Sequence, residues 1–273
     1  MSRGIPTELC ENMIDVLSTD RKALGECGLV CSAWLPRSRF HLFSSIGLLC
    51  STSAPFIHIL GSPTCTFASF VRKLTIYFGS EHETNAGMVA QRFLRLATSS
   101  AFRRLTEVMS LRLVNIDWTL FSIPQQTAIE SSLGRMLHIK KLQLHSVTFH
   151  DLRSALRLVD SFPKVNHVCL VGIQFSKYPE YNISSSNILR IPSTLETIET
   201  DSVDVIPAFL YCVSRNAAVS PLAIRLIKVM NFAQDEVSYV REALRSFDGS
   251  LQHVSLVPSD YVTLTDPNPA RPP

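Results

Sequence analysis

The stretch "VRKLTI", residues 71–76, carries the pattern that predicts the fold of this chain. It places apolar residues at its first, fourth and sixth positions, and the same pattern occurs seven times. The copies begin at Val71, Val108, Ile139, Val165, Leu195, Ile224 and Leu251. The alternation of apolar and other residues in the second half of each copy predicts a short β-strand with one buried face.

Helical spacing of apolar residues is found between most of these copies. The predicted helices span Ala86–Thr98, Gln125–Leu137, Asp151–Phe162, Ile206–Asn216 and Asp235–Phe247. A further apolar residue follows three places after five of the copies, at Ile116, Val147, Ile173, Val203 and Phe232. Strand, helix and strand repeating at about 30 residues predict parallel strands joined by right-handed crossovers.

This array matches the template of leucine-rich repeats. We therefore expect an irregular leucine-rich-repeat-like solenoid with a parallel sheet over residues 71–257; an ordinary α/β domain is the alternative. The array is irregular because Thr200 replaces an apolar residue and because residues 174–193, "QFSKYPEYNISSSNILRIPS", show no clear helix. The asparagine that is typical of these repeats is also missing.

In a curved array, the residues between the apolar strand positions lie on the concave face, which is the usual binding surface of a solenoid. The candidates for a substrate surface are Lys73, Tyr77, Arg112, Lys141, His145, Glu199, Asp201 and Lys228. The early strands are basic and the fifth is acidic, so a partner with acidic and basic portions in the matching order would fit. Simple solvation of these charges is the alternative.

The first helix is predicted to begin at Pro6 and to run to about Leu17. Glu8 lies in its first turn, where a carboxylate interacts favourably with the positive end of the helix dipole. Two apolar stripes overlap on this helix: Leu9, Met13, Val16 and Leu17, and Cys10, Ile14 and Leu17. This apolar surface is wider than one small core requires.

Two more short helices are predicted before residue 46. Asp20 is the expected N-cap of the second helix, and Gly28 is expected to turn the chain into the third. In the third helix Leu29, Val30, Ala33 and Trp34 would share a face, and Pro36 would end it. Arg37 and Arg39 are expected either at its solvated exit or in a minor contact.

A unit of three short helices is near the size below which a domain needs added support to stay folded. Packing on the rest of the chain or on another protein could cover its surplus apolar face. We infer that another protein covers it; the alternative is that residues 1–46 are only the N-terminal cap of the following domain.

Residues 5–46, "IPTELCENMIDVLSTDRKALGECGLVCSAWLPRSRFHLFSSI", resemble an F-box. The agreement covers Ile5, Pro6, Glu8, Leu9, Leu24, the "LVCSAW" of residues 29–34, Phe40, Leu42 and Phe43, with Ile5 where leucine is usual. Through residues 70–76 the chain is similar to a large group of fungal, mostly basidiomycete, F-box proteins with repeat-like C-terminal halves. The resemblance implies a mixed fold, α+β as a whole, with an N-terminal three-helix F-box.

The resemblance also implies a function. An F-box binds the Skp adaptor of a cullin-RING ubiquitin ligase, and the remainder of the chain selects a protein substrate. The implied adaptor-binding residues are Ile5, Pro6, Glu8, Leu9, Ile14, Leu24, Leu29, Val30 and Trp34. Alternatives are an interaction scaffold with no role in ubiquitination, and an uncharacterised α/β enzyme.

Composition narrows the function further. The net charge of +3 is small for 273 residues and the basic residues are dispersed, which argues against nucleic acid as a partner. No apolar run approaches the ~20 residues of a membrane span, and no secretory signal is recognisable, so we expect an intracellular protein of the cytoplasm or nucleus. The common catalytic, phosphate-binding and metal-binding motifs are not found, so we expect neither catalysis nor a cofactor.

Two further segments flank the predicted array. Residues 47–70 are expected to be a packed connection with one short helix, and residues 258–273 are expected to be a disordered tail.

Overall fold

The computed structural model describes residues 6–79, 85–176, 191–201, 224–232 and 251–258, together with Arg241 and Leu244. Within these residues the fold is mixed α/β. Its helices are α1 (Thr7–Val16), α2 (Arg21–Val30), α3 (Leu35–Phe43), α4 (Ser53–Gly61), α5 (Ala86–Thr98), α6 (Ile123–Leu133) and α7 (Leu152–Asp160). Its strands are β1 (Ser45–Leu49), β2 (Lys73–Tyr77), β3 (Ser110–Val114), β4 (Lys141–His145), β5 (Thr148–Phe149), β6 (His167–Val171), β7 (Gln174–Phe175), β8 (Thr197–Thr200), β9 (Leu226–Phe232) and β10 (His253–Pro258).

Eight strands form one parallel sheet in the order β1-β2-β3-β4-β6-β8-β9-β10, and β5 pairs with β7 in a second, two-stranded sheet. All seven predicted strand positions lie in the large sheet, so the prediction of parallel strands is confirmed. The apolar pattern explains their burial. In β2, for example, Leu74 and Ile76 are fully buried, and Val71 just before the strand is buried as well.

Helices α5, α6 and α7 cover the apolar face of the sheet. Phe93 of α5, Leu133 of α6 and Leu156 of α7 belong to the same continuous core as the buried strand residues. Helix α5 has the bounds that its sequence predicts. Helix α6 begins earlier than predicted, because the backbone N–H of Ser122 donates to Oε1 of Gln125 at 2.9 Å and caps its start. It also ends earlier, at Leu133, and Gly134 follows as its C-cap. The predicted helices at 206–216 and 235–247 lie outside the described residues, apart from two isolated positions.

Strand β1 was not predicted. Its residues pair with β2 in register, Ile46 opposite Leu74 and Leu48 opposite Ile76. With Phe43 they form an eighth copy of the apolar pattern, hidden in a segment that was interpreted as F-box followed by connection. Residues 47–70 therefore contain most of an edge strand as well as the one helix that was expected there, α4.

The N-terminal three helices form a separate small cluster. Its core consists of Ile14, Leu24 and Cys27, with Leu17, Trp34 and Leu42 packed against it. Asp20 caps α2 as predicted, since its carboxylate accepts hydrogen bonds from the backbone N–H groups of Lys22 and Ala23, both at 3.0 Å.

The predicted turn at Gly28 and the predicted end of the third helix at Pro36 are wrong. Helix α2 continues through Gly28 to Val30, and a Cβ on Gly28 would lie 3.7 Å from Cβ of Ser38, so this position packs against α3. Pro36 lies in the first turn of α3. A proline suits that place because the first backbone N–H groups of a helix have no partner within the helix. Leu29 and Val30 therefore belong to the end of α2.

Candidate functional surfaces

Helix α1 exposes one of its two apolar stripes. Leu9 and Met13 are each 54% exposed and Val16 is 83% exposed, whereas Cys10 and Ile14 are buried against the other helices. Residues 9, 13 and 16 share one face by helical spacing. Of the two stripes that the sequence predicts, this is the one that faces solvent. We call Leu9, Met13 and Val16 the α1 stripe.

The end of α2 is a second exposed apolar position. Leu29 is 87% exposed and Val30 is 63% exposed, and the chain turns extended at Cys31 directly after them. Exposure of this kind costs free energy in water unless a partner covers it.

The predicted adaptor-binding residues divide into two groups. Pro6, Glu8, Leu9, Leu29 and Val30 are exposed. Ile14 and Leu24 are 1% and 0% exposed, so they support the surface from inside and do not contribute to it. Trp34 is partly buried against the same small core. Ile5 lies outside the described residues.

A three-residue ionic cluster holds α1 against α3. The guanidinium of Arg37 donates to both carboxylate oxygens of Asp15 at 2.5 and 2.6 Å, and Nε2 of His41 lies 2.7 Å from Oδ1 of Asp15. These hydrogen bonds, from Arg37 first and His41 second, hold the pKa of Asp15 well below its usual range. Of the two expectations for Arg37, a solvated exit or a minor contact, the structure shows a contact, the ion pair with Asp15. No local sequence signal indicates this cluster, because its members are 22 and 26 residues apart.

The face of the sheet that the described helices leave uncovered brings the predicted substrate-surface residues together. The strand register aligns them in rows that cross the sheet. Lys73, Ser110, Lys141 and His167 form one row, and Thr75, Arg112, Gln143, Cys169, Glu199 and Lys228 form the next. A third row contains Tyr77, Val114, His145 and Val171, and Asp201 directly follows β8. The alternation predicted from the sequence thus places these candidates on one surface, which we call the open sheet face.

Two histidines are half-buried on the open sheet face. Nη2 of Arg112 lies 3.3 Å from Nδ1 of His145, and Nε2 of His167 lies 3.5 Å from Oε2 of Glu199. Burial lowers the pKa of both histidines; the charge of Arg112 lowers that of His145 further, and the charge of Lys141 lowers that of His167. Both imidazoles are therefore held in the neutral form at pH 7.

Both acidic residues of this face have close polar neighbours. Glu199 lies beside His167 and directly opposite Lys228 in the register, and Oδ1 of Asp201 accepts the backbone N–H of Gly172 at 2.7 Å. Within the described part of the chain, neither carboxylate forms an ion pair with a lysine or an arginine. The charged candidate residues of the open sheet face are four basic ones, Lys73, Arg112, Lys141 and Lys228, and two acidic ones, Glu199 and Asp201, so their net charge is positive.

Cys169 of the open sheet face is not placed to act as a nucleophile. The thiol is 4% exposed, and burial raises its pKa to about 11. A nucleophilic cysteine needs the opposite, an accessible thiolate. Among the described residues, no group of three or more His, Cys, Asp or Glu side chains is placed to hold a metal ion. The described helices also include none with the length and apolar character to cross a membrane.

Compared with known proteins, the chain matches no family model, and its sequence matches no curated protein.

Proposed function

We propose that this protein is a non-catalytic substrate receptor of a Skp-cullin-F-box ubiquitin ligase. In this proposal the three-helix unit binds the Skp adaptor, and the open sheet face binds a protein substrate. The observation that carries the proposal is the exposure of the α1 stripe and of Leu29 and Val30 on a unit whose own buried core has three residues. The F-box resemblance of residues 5–46 supports the same assignment.

The energetic argument concerns what covers these side chains. Full burial of a Leu or Met side chain contributes about 1.5–3 kcal/mol. About half of the Leu9 and Met13 side chains is already buried within the protein. Burial of the exposed half by a partner would contribute about 1 kcal/mol each. The Asp15–Arg37–His41 cluster favours such binding, because it fixes α1 on α3 before a partner arrives and reduces the ordering cost of association.

The open sheet face supports a substrate of acidic character. Its charged candidate residues are four basic and two acidic side chains, and three of the basic ones, Lys73, Arg112 and Lys141, lie on the adjacent strands β2, β3 and β4. The sequence suggested a partner with matched acidic and basic portions. We now propose a more specific partner, an acidic segment that lies over β2, β3 and β4. The role of the protein is then to hold that segment near the ligase, where proximity accelerates transfer of ubiquitin by other subunits.

The first experiment measures binding of purified Skp adaptor to the Leu9→Ala, Met13→Ala double variant. Loss of about 2 kcal/mol predicts adaptor affinity about 30-fold weaker. The matched control is Ile123→Ala, Leu137→Ala, which removes two apolar side chains that are 68% and 55% exposed elsewhere. Equal affinity of the two double variants, with both folded, would contradict the assignment of the adaptor surface.

The second experiment separates a ligase receptor from a scaffold. Arg112→Glu with Lys141→Glu is expected to release the co-purified partner and to retain the adaptor. If the partner is a substrate, its ubiquitination in a reconstituted ligase falls together with its binding. A partner that is released by the charge reversal but never ubiquitinated by the intact complex identifies the scaffold instead.

A further inference from the structure

We propose that the groove between α3, α4 and residues 62–67 binds a small aromatic carboxylate. The groove has a volume of about 450 Å³, and the residues that carry the argument are Arg39, Phe43, His58, Cys65, Thr66 and Phe67. This volume is within the range of about 300–1,000 Å³ that is usual for small-molecule sites. The inference does not depend on adaptor or substrate binding.

The apolar part of the groove is largely aromatic. Phe43 of α3 stacks on Phe67, with ring centroids 4.9 Å apart and an angle of 26° between the planes. Outside the lining, Phe56 also packs against Phe67, with ring centroids 6.0 Å apart. An aromatic ring of a ligand can extend this stack in an offset or edge-to-face geometry.

The wall formed by residues 62–67 is held in place from behind. The guanidinium of Arg104 donates to the backbone carbonyls of Leu60 at 3.0 Å and Cys65 at 3.2 Å, and also to that of Ser62. Two carbonyls of residues 62–67 and one carbonyl of the last turn of α4 are therefore bound by one side chain that does not line the groove. Such a preformed wall reduces the ordering cost of ligand binding.

The polar rim determines the charge of the ligand. Arg39 and His58 are basic, and no acidic residue is among the described residues that line the groove. Arg39 donates one hydrogen bond, from Nη1 to Oγ1 of Thr66 at 3.0 Å, and forms no ion pair with any described residue. A guanidinium has five N–H donors and always carries its charge, so most of its capacity to bind a carboxylate is free.

Benzoate is the probe for this site, and benzamide is its neutral counterpart of nearly the same shape. At about 0.3 kcal/mol for each non-hydrogen atom, benzoate would bind with a dissociation constant of about 10 mM. An exposed ion pair contributes up to about 1 kcal/mol, so benzamide would bind about fivefold more weakly.

Cys65 supplies the readout because its half-buried free thiol lines the groove, while the exposed free thiol of Cys31 lies outside it. At about 50 mM probe, benzoate should slow alkylation of Cys65 about sixfold and benzamide about twofold. Two internal controls accompany this measurement. One is the rate of alkylation at Cys31, and the other is the effect of acetate, used in place of benzoate, on alkylation of Cys65. Arg39→Gln should reduce protection by benzoate to that by benzamide, whereas Arg95→Gln, at an exposed arginine of α5, should leave it unchanged.

Line broadening of the benzoate ring protons on addition of protein gives a second measurement that does not require Cys65 to react. We expect the protein to broaden the benzoate lines. Arg39→Gln should reduce this broadening, and Arg95→Gln should leave it unchanged. Equal protection by benzoate and benzamide, or broadening that is the same in the two variants, would overturn the proposal.

Discussion

Replacement of Gly134 by alanine should destabilise the sheet domain, although alanine is the better helix former. Gly134 ends α6 in ordinary right-handed helical geometry, with φ of −62°, so the backbone conformation accepts alanine. A Cβ at this position would lie 2.6 Å from the carbonyl oxygen of Ser161, which ends α7. Because that neighbour is backbone, the ends of the two helices must move apart.

The expected magnitude follows from two opposing effects. Overpacking of a well-packed site costs about 1–3 kcal/mol. The helix propensity of alanine returns up to about 1 kcal/mol. We therefore expect Gly134→Ala to lower the free energy of unfolding by about 1 kcal/mol.

Gly25→Ala is the matched control. Gly25 lies within α2, and no atom lies within 4 Å of where its Cβ would be. Without a steric cost, this substitution should raise the stability of the three-helix unit by about 0.5–1 kcal/mol. The same chemical change thus has opposite expected signs at the two positions.

The assay is urea unfolding followed by tryptophan fluorescence. Trp118 is fully buried in the sheet domain, and Trp34 is partly buried in the three-helix unit, so Trp34→Phe and Trp118→Phe backgrounds report the two parts separately. Gly134→Ala should lower the midpoint seen by Trp118 with an unchanged slope. A midpoint equal to or above that of the parent protein would refute the close approach of α6 and α7.

The remaining predictions concern charge and accessibility. Because its partners lower the pKa of Asp15, that carboxylate stabilises the fold above the ordinary carboxyl pKa and loses this effect as pH falls; Asp15→Asn should remove this pH dependence in thermal melts followed by Trp34 fluorescence. Burial lowers the pKa of His145 and His167, so the unfolded chain binds more protons below pH 6.5, and the melting temperature should fall as pH drops from 6.5 towards 5. His145→Gln with His167→Gln should flatten that profile, and a profile unchanged from the parent protein would contradict the placement of these rings. Cys169 should resist iodoacetamide at pH 8 while Cys31 reacts, as peptide mass spectrometry would show.

The seven strand positions could be predicted because each depends on the spacing of apolar residues within six positions, and the same spacing repeats along the chain. Each copy needs only that alternate side chains face the same core, so the pattern is visible without knowledge of the partner strands. The same pattern is present at Phe43, Ile46 and Leu48, but there it overlaps the F-box resemblance, which gives no indication of β1.

The predicted helix ends are wrong where one residue type is compatible with two different positions in a helix. Proline ends a helix when it falls in the interior, but it is favoured in the first turn. The residues around Pro36 do not distinguish these cases. The tertiary structure does distinguish them. Gly28 packs against Ser38, α2 continues to Val30, and α3 begins at Leu35, so Pro36 falls in a first turn.

Among the candidate site residues, the sequence predicted the correct face but could not predict exposure. Alternation placed Arg112, Lys141 and His145 on one side of the sheet. Helical spacing likewise predicted two stripes on α1, but only the packed unit shows that Ile14 is inside and Leu9 outside. Exposure depends on the neighbouring elements, which local spacing does not specify.

The sequence by itself determined the parallel strand array, the two apolar stripes of α1 and the cap of α2 at Asp20, because each depends on residues a few positions apart. Only the tertiary structure decided the Asp15–Arg37–His41 cluster, the engagement of Asp201 by Gly172 and the groove beside Arg39. These features join side chains or backbone groups that are more than twenty residues apart in the chain. Their geometry follows from how the helices and strands pack, and no periodicity in the sequence records it.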